Sequence, residues 1–129
     1  MKWVLSSKIQ RATVVGANLD YIGSLTIDED LMDRAGLWPG ERVMVVSATS
    51  GARLETYVIT GERGSNDIFM NGPAALLIKK GEQVTIMGFT LSVAPIQPKN
   101  LLVDGQNRFV RFIEESERGN INDLALPPN

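Results

Sequence analysis

The sequence predicts a mainly β fold in which short helices connect the strands of a barrel. Several segments alternate polar and apolar residues as half-buried strands do, and the stretches with a helical pattern are only one or two turns long. A strand, a short helix, a Gly-Glu turn and a further strand occur twice, with the Gly-Glu pairs at 40–41 and 81–82. This repeat favours a barrel of two interlocking halves, although two common turns can also match by chance.

Strands are predicted where polar and apolar residues alternate between turn signals. In chain order they cover residues 8–15, 24–27, 42–48, 52–60, 68–70, 83–87, 101–104 and 108–113. Alternation in the fourth of these strands predicts one face with Arg53, Glu55 and Tyr57 and an opposite face with Leu54, Thr56 and Val58. The chain between the first two strands, and residues 61–67, are predicted as loops.

The first short helix is predicted at residues 29–35, with Gly36 ending it. Two N-terminal caps compete for it. Asp28 can accept a hydrogen bond from the first turn, and Thr26 with Glu29 has the spacing of a capping box. The sequence leaves both alternatives open.

The second short helix follows Asn71-Gly72 and runs to residue 78, with Pro73 as its first residue. A proline is tolerated there because its missing N–H would have no partner in the helix. The free N–H groups of Ala74 and Ala75 would then point out of the helix start, where a carboxylate is favoured. A plain one-turn connector explains the same residues equally well.

Length and charge indicate one domain without a nucleic-acid or membrane partner. The chain has 129 residues and a net charge of −2, and its 13 Lys and Arg residues are scattered. No apolar stretch is long enough for a membrane span, and the N-terminus is too short in apolar residues for a signal peptide. We therefore expect a cytoplasmic protein with a single barrel domain at 1–129, in which the polar residues 114–129 form a surface tail.

The sequence contains no cysteine and no histidine. It therefore lacks disulfides, a thiolate nucleophile, the usual general base and the commonest metal ligands, and no metal site is predicted. An enzyme of this composition would depend on Lys, Arg, Tyr, hydroxyl and carboxylate groups, or on a group made from them. This composition favours a cofactor made from the chain itself over a catalytic triad or a zinc site.

Gly23-Ser24 has the chemistry of a peptide bond that can break itself. A serine hydroxyl can attack the preceding carbonyl through a five-membered ring and convert the amide into an ester. Gly23 has no Cβ, which leaves the carbonyl uncrowded and permits a strained backbone conformation. The alternative is that Gly-Ser is simply one of the commonest loop dipeptides.

An ordered set of short motifs accompanies this dipeptide over most of residues 1–90. The motifs are Lys8-Ile9, Tyr21-Ile22-Gly23-Ser24, Gly51-Ala52-Arg53, Thr56-Tyr57, Glu62-Arg63-Gly64-Ser65 and Asn71-Gly72. Together they resemble the pyruvoyl-dependent aspartate 1-decarboxylase family of pantothenate biosynthesis. None of these motifs is specific alone, and the order of the set carries the resemblance.

The resemblance implies a double-psi β-barrel that assembles as a homotetramer with its sites between subunits. It also implies a zymogen that cuts itself between Gly23 and Ser24 into chains 1–23 and 24–129. Ser24 would lose ammonia and become a pyruvoyl group, whose ketone forms a Schiff base with the substrate amine. The implied lyase reaction is decarboxylation of L-aspartate to β-alanine and carbon dioxide.

The resemblance also implies roles for individual residues. Tyr57 would return a proton to the carbanion, while Thr56 and Asn71 would assist cleavage at Gly23 and Ser24. The substrate-binding set would be Lys8, Tyr21, Arg53, Thr56, Gly72, Pro73, Ala74 and Ala75. Each residue also has a structural interpretation: the two cations as exposed side chains, Tyr57 as a rim aromatic and Thr56 as a strand former.

Two positions depart from the family pattern. Gln10 stands where histidine is usual, and Pro73 stands where the family has a small residue with a free N–H. Three alternatives stay open. The same chemistry could act on another acidic amino acid, such as glutamate or a methylated aspartate. The chain could be an uncleaved barrel that acts as a binding or regulatory module, or its cleavage could need a maturation factor.

Overall fold

The computed structural model describes residues 1–114, 116 and 117. Strands dominate this part of the chain, as predicted. They are β1 Lys2–Thr13, β2 Gly16–Asn18, β3 Ser24–Asp28, β4 Arg42–Ser47, β5 Arg53–Gly61, β6 Ile68–Asn71, β7 Gln83–Ser92, β8 Lys99–Val103 and β9 Phe109–Phe112. Helix α1 covers Glu29–Ala35, and a 3₁₀ helix covers Gly72–Leu76. The predicted surface tail lies largely outside the described residues.

The strands form a barrel that closes through the junction of β1 and β2. The hydrogen-bonded order is β2-β6-β3-β5-β4-β7-β1-β8-β9. Since β1 leads into β2 through residues 14 and 15, one segment pairs first with β7 and then with β6. The N–H of Val14 donates to the carbonyl of Glu82 and that of Val15 to the carbonyl of Ile68, both at 2.9 Å. Strands β8 and β9 extend the sheet beside the barrel.

The two Gly-Glu turns occupy equivalent places in the two halves. The N–H of Gly40 donates to the carbonyl of Val58 at 2.8 Å, and that of Gly81 donates to the carbonyl of Val14 at 2.7 Å. The glutamate carbonyl after each glycine accepts from the N–H of the same valine, at 3.0 and 2.9 Å. Strand β3 runs parallel to β5, as β6 runs parallel to β2. The repeat is therefore structural, and the predicted double-psi β-barrel is confirmed.

Side chains from both halves fill one continuous core inside the barrel. Its fully buried members include Ile9, Leu25, Ile27, Val43, Val45, Ile68, Met70, Val84 and Ile86. Helix α1 covers one side of this core with Leu31, Met32 and Ala35, as predicted. It ends at Gly36, whose φ of 72° lies in the left-handed region that favours glycine. Among the described residues, no helix combines the length and the apolar character needed to cross a membrane.

Asp28 caps α1 and also holds the loop at residues 62–67. Its carboxylate accepts from the N–H of Asp30 at 2.8 Å, of Gly64 at 3.0 Å and of Asn66 at 2.8 Å. The capping-box alternative for Thr26 and Glu29 is thus wrong, because the first turn already has its acceptor. The buried carboxylate ties β3 and α1 to the chain that leads into β6.

Arg63 adds an exposed clamp between the same loop and α1. Its guanidinium bonds Asp33 at 2.6 Å, Glu29 at 2.8 Å and Asp30 at 2.9 Å. The hydrogen bond to Asp33, together with the neighbouring carboxylates, raises the pKa of Arg63 above its usual value. The Glu62-Arg63-Gly64-Ser65 motif therefore has a structural role in this chain.

Replacing Asp28 with alanine is expected to lower the free energy of unfolding by about 2–4 kcal/mol, because three backbone amides lose a charged acceptor. Urea denaturation in a Ser24→Ala background, which keeps the chain uncut, measures this loss. Asp20→Ala serves as the control, since Asp20 is an exposed loop residue. Equal stability of the two variants would contradict the assigned role of Asp28.

The strand bounds differ from prediction where distant segments pair. Strand β1 begins at Lys2 and β7 runs to Ser92 because these two residues pair across the sheet. The three-residue strand β2 lies in a segment predicted as a loop, and it forms by parallel pairing with β6. Its sequence, Gly-Ala-Asn, is too short to show an alternating pattern.

Candidate active site

Ser24 begins β3 in a strained and buried position. Its φ is 100°, its residue surface is 3 % exposed, and its hydroxyl is buried with no hydrogen-bond partner among the described residues. A non-glycine residue in such a conformation costs about 1–3 kcal/mol. The strain expected at Gly23 therefore lies at Ser24 instead, because Gly23 is not among the residues with positive φ. Within the part of the chain that the structure describes, a buried hydroxyl without a partner thus lies directly after a glycine carbonyl.

Gly72 packs directly against the residue before the candidate scissile bond. A Cβ at this position would lie 2.9 Å from the Cα of Gly23, 3.2 Å from its nitrogen and 3.3 Å from the carbonyl oxygen of Tyr21. The φ of Gly72 is also 67°, in the left-handed region. Glycine is thus required here for both space and conformation. The side chain of Tyr21 is exposed beside this contact.

Asn71 lies directly opposite Ser24 in the antiparallel pair of β3 and β6. It is 2 % exposed, and its Nδ2 donates to the Oγ1 of Thr26 at 2.9 Å. The sequence predicts Thr26 as a strand residue and as one of two candidate caps, but not as a residue of the site. The sequence signal that places Thr26 near the site is its spacing of two residues from Ser24, because residues i and i+2 of a strand share a face.

Tyr57 shares the outer face of the barrel with Ser24. Leu25 pairs with Val58 in the parallel register, so the preceding residues, Ser24 and Tyr57, lie level on neighbouring strands. Tyr57 is 42 % exposed. Thr56 is half-buried on the opposite face and pairs with Val43. The predicted separation of Thr56 and Tyr57 onto two faces is confirmed.

Lys8 and Arg53 also lie on the outer face, but away from Ser24 within one chain. Arg53 precedes Tyr57 by four residues, which is about 13 Å along a strand. Lys8 pairs with Met87 on β7, Met87 pairs with Met44 on β4, and Met44 pairs with Glu55 on β5. Lys8 is therefore three strand spacings away from β5. Three strand spacings amount to about 14 Å. A single chain does not gather both cations around the Gly23-Ser24 bond.

Charged neighbours occupy the outer face between these positions. Arg53 Nη1 lies 3.4 Å from the sulfur of Met44, and Glu55 forms an ion pair with Arg42. Arg42 lies opposite Tyr57 in the pair of β4 and β5. Arg42 is not among the site residues predicted from the sequence, because its position opposite Tyr57 depends on the pairing of β4 with β5.

Three further predicted residues lie within the 3₁₀ helix. Pro73 is exposed in its first turn, Ala74 is half-buried against the core, and Ala75 is half-buried. Asn71 makes no side-chain cap. Gln10 is remote in the fold, where its Nε2 donates to the Oδ1 of Asn100 at 3.0 Å and so joins β1 to β8.

Comparison with known proteins identifies the group to which this arrangement belongs. Residues 1–110 match the family model described as aspartate decarboxylase. The aspartate 1-decarboxylase of Caldicellulosiruptor bescii is 47% identical, with 88% of this chain and 92% of the relative covered. The enzyme of Corynebacterium efficiens is 50% identical, with 85% and 84% covered. That of Bacillus subtilis is 44% identical, with 85% and 90% covered.

A solved structure also matches, with less similarity. The computationally designed protein msDPBB_sym2 aligns with a TM-score of 0.42 and 21% identity, over 67% of this chain and 99% of the designed one. The family match over residues 1–110 includes the positions of every residue predicted for the site, and the sequence relatives cover most of the chain. The resemblance predicted from the short motifs is confirmed: the chain belongs to the aspartate decarboxylase family.

Proposed function

We propose that this chain is a pyruvoyl-dependent aspartate 1-decarboxylase that makes β-alanine and carbon dioxide after cutting itself at Gly23-Ser24. The observation that carries the proposal is the buried hydroxyl of Ser24, which has no partner among the described residues and belongs to a residue with a φ of 100°. Family membership supplies the reaction class, and the relatives are named aspartate 1-decarboxylases.

The proposed cleavage begins when Ser24 Oγ attacks the carbonyl carbon of Gly23. The C–O bond forms, the C–N bond breaks, and the freed amine remains on Ser24. Loss of the Ser24 α-proton then expels the Gly23 carboxylate and leaves dehydroalanine. Water adds to this residue and ammonia departs, so residue 24 ends as a pyruvoyl group at the start of chain 24–129. Release of the backbone strain at Ser24 favours the first step.

The surroundings of residue 24 are compatible with that group. The position is buried, and its own hydroxyl has no partner in residues 1–114, 116 and 117. Asn71 and Gly72 lie against the adjoining backbone. A pyruvoyl group held there would supply an electron-withdrawing carbonyl for a substrate amine and for the electron pair left by carbon dioxide. We assign Asn71 and Thr56 to hydrogen bonding during cleavage. The side chain of Thr56 lies on the opposite face of β5 from Tyr57, but in the parallel register Thr56 is level with Gly23, and we propose it as an oxyanion-type donor to the Gly23 carbonyl.

Tyr57 is proposed as the general acid of the decarboxylation. Tyr57 lies on the same outer face as Ser24, at the same level on the neighbouring strand. Its partial exposure leaves this face open to a substrate. Proton delivery by a positioned phenol to the former α-carbon would make it the new CH₂ group of β-alanine, and hydrolysis by one water would then release the product amine.

We propose that Lys8 and Arg53 bind the carboxylates of aspartate from a neighbouring subunit. A guanidinium fork matches a carboxylate in two hydrogen bonds, and Lys8 adds a second positive charge. Within one chain, Lys8 and Arg53 each lie roughly 10 Å or more from Ser24. A homotetramer with sites between its subunits satisfies this requirement, and Tyr21, Pro73, Ala74 and Ala75 would line the pocket beside residue 24.

Carbon dioxide release across a panel of acidic amino acids tests the substrate. We expect L-aspartate to give the highest kcat/KM, above L-glutamate and 3-methylaspartate. Pro73 lacks the N–H that the family pattern places there, so an altered preference is the specific alternative. Aspartate among the poorest substrates would overturn the assignment while leaving the decarboxylase chemistry intact.

Replacing Gly72 with alanine is expected to slow cleavage about 100-fold, because a Cβ would displace Gly23 and misplace the attacked carbonyl. The rate is followed by intact mass on freshly purified uncut chain. Gly51→Ala is the matched control, since Gly51 has a φ of 79° and no atom within 4 Å of its Cβ position. Equal cleavage rates for the two variants would contradict a role for the Gly72 contact.

A further inference from the structure

We infer that Thr26 is a positioning residue for the cleavage at Gly23-Ser24 and that it acts by orienting Asn71. This inference rests on the proposed self-cleavage and assigns a role to a residue outside the set expected from the sequence. Thr26 does not touch the scissile bond. It lies two residues further along β3, on the same face as Ser24.

The hydrogen bond between the two side chains places the amide nitrogen of Asn71 at Thr26. Asn71 is nearly fully buried, and its Nδ2 donates to Thr26 Oγ1 at 2.9 Å. A carboxamide has donors on one branch and an acceptor on the other. With the nitrogen at Thr26, the oxygen is the branch left to accept from a hydroxyl. The buried hydroxyl of Ser24, directly opposite Asn71 in the ladder, is a donor without a partner among the described residues.

Thr26 is itself held on the side away from Asn71. A Cβ at Gly61 would lie 3.0 Å from Thr26 Cγ2, so the threonine methyl occupies the space that this glycine leaves on β5. The branched side chain has few χ1 choices, and a methyl fixed towards β5 leaves the hydroxyl towards β6. Both branches of Thr26 are thus in use, one against each neighbouring strand.

The hydroxyl of Thr26 has no helix-capping role that would compete with this one. Asp28 supplies the acceptor for the first turn of α1, through Asp30 N–H at 2.8 Å. Removing the hydroxyl leaves the Nδ2 of a buried asparagine without its partner, and the amide is then free to rotate. We therefore expect loss of the hydroxyl to act on cleavage through the orientation of Asn71.

Cleavage rates of Thr26→Val and Thr26→Ser, followed by intact mass from freshly purified uncut chain, test the inference. Valine keeps the shape and the strand preference but removes the acceptor, and we expect cleavage about 10- to 100-fold slower. Serine restores the hydroxyl, and we expect a rate within about threefold of the wild type. Thr60→Val is the matched control on β5, because Thr60 is exposed and lies outside the contact between Thr26 and Asn71.

A double-mutant cycle keeps the test decisive if Thr26→Val also lowers stability. In an Asn71→Ala background, Thr26→Val is expected to cause no further slowing, because its effect passes through the asparagine. Additive slowing, a wild-type rate for Thr26→Val, or equal slowing by the serine variant would each overturn the inference alone. A wild-type chain that stays uncut would overturn the proposed function and the inference together.

Discussion

Ser24→Ala is expected to leave the chain uncut and to abolish carbon dioxide release from aspartate completely. Alanine has no oxygen to attack the Gly23 carbonyl and cannot become a pyruvoyl group. Removal of the single oxygen Oγ therefore abolishes both maturation and catalysis. Intact mass should show one full-length species even after prolonged incubation. The assay for carbon dioxide should give the background rate of a blank.

Ser92→Ala provides the control for this variant, because Ser92 lies at the end of β7 and outside the proposed site. It should mature and turn over like the wild type. Decarboxylation by the uncut Ser24→Ala chain would contradict the assignment of Ser24 as the cofactor precursor. Cleavage of that chain at the same bond would contradict the proposed hydroxyl attack.

Tyr57→Phe is expected to mature normally and then to decarboxylate aspartate about 10²- to 10⁴-fold more slowly, because only the proton donor is removed. The change deletes one oxygen and retains the ring on the outer face of β5. The fall should appear in kcat, with KM little changed, since the phenol acts after substrate has bound. Steady-state kinetics on protein shown by mass to be fully cut measures both parameters.

Tyr21→Phe is the matched control, since the chain has two tyrosines and both changes remove a single phenolic oxygen. Tyr21 is proposed to shape the pocket, so its variant should alter KM more than kcat. A Tyr57→Phe enzyme whose kcat stays within about twofold of the wild type would contradict its role as general acid. A Tyr57→Phe chain that fails to mature would assign Tyr57 to cleavage instead.

The features predicted best from the sequence are those set by near neighbours. Helix α1 has its bounds, its buried face and its ending at Gly36 encoded within eight consecutive residues. The repeated Gly-Glu turns likewise carry their own backbone signal, because each glycine has a positive φ, at 80° and 91°. Local propensity and tertiary packing agree at these places, so the pattern is sufficient.

The features missed depend on partners that are distant in the sequence. The strained backbone lies at Ser24 and not at Gly23, at the point where β3 starts to pair with β6. Thr26 accepts a hydrogen bond from Asn71, which is 45 residues away in the sequence, and no short motif predicts that contact. The pairing of β1 with β7 lengthens both strands beyond their alternating segments. Lys8 and Arg53 are not gathered around Ser24 within one chain, in keeping with the expectation of sites between subunits, which stays a prediction.

The intact mass of the purified wild-type protein tests the central claim most directly. After incubation, we predict chain 1–23 and chain 24–129, with the longer chain lighter by one ammonia than a chain that begins with serine. That mass difference distinguishes conversion of Ser24 from simple proteolysis. A single full-length species that persists, with no 24–129 fragment, would contradict the account and favour an uncleaved barrel with a binding or regulatory role.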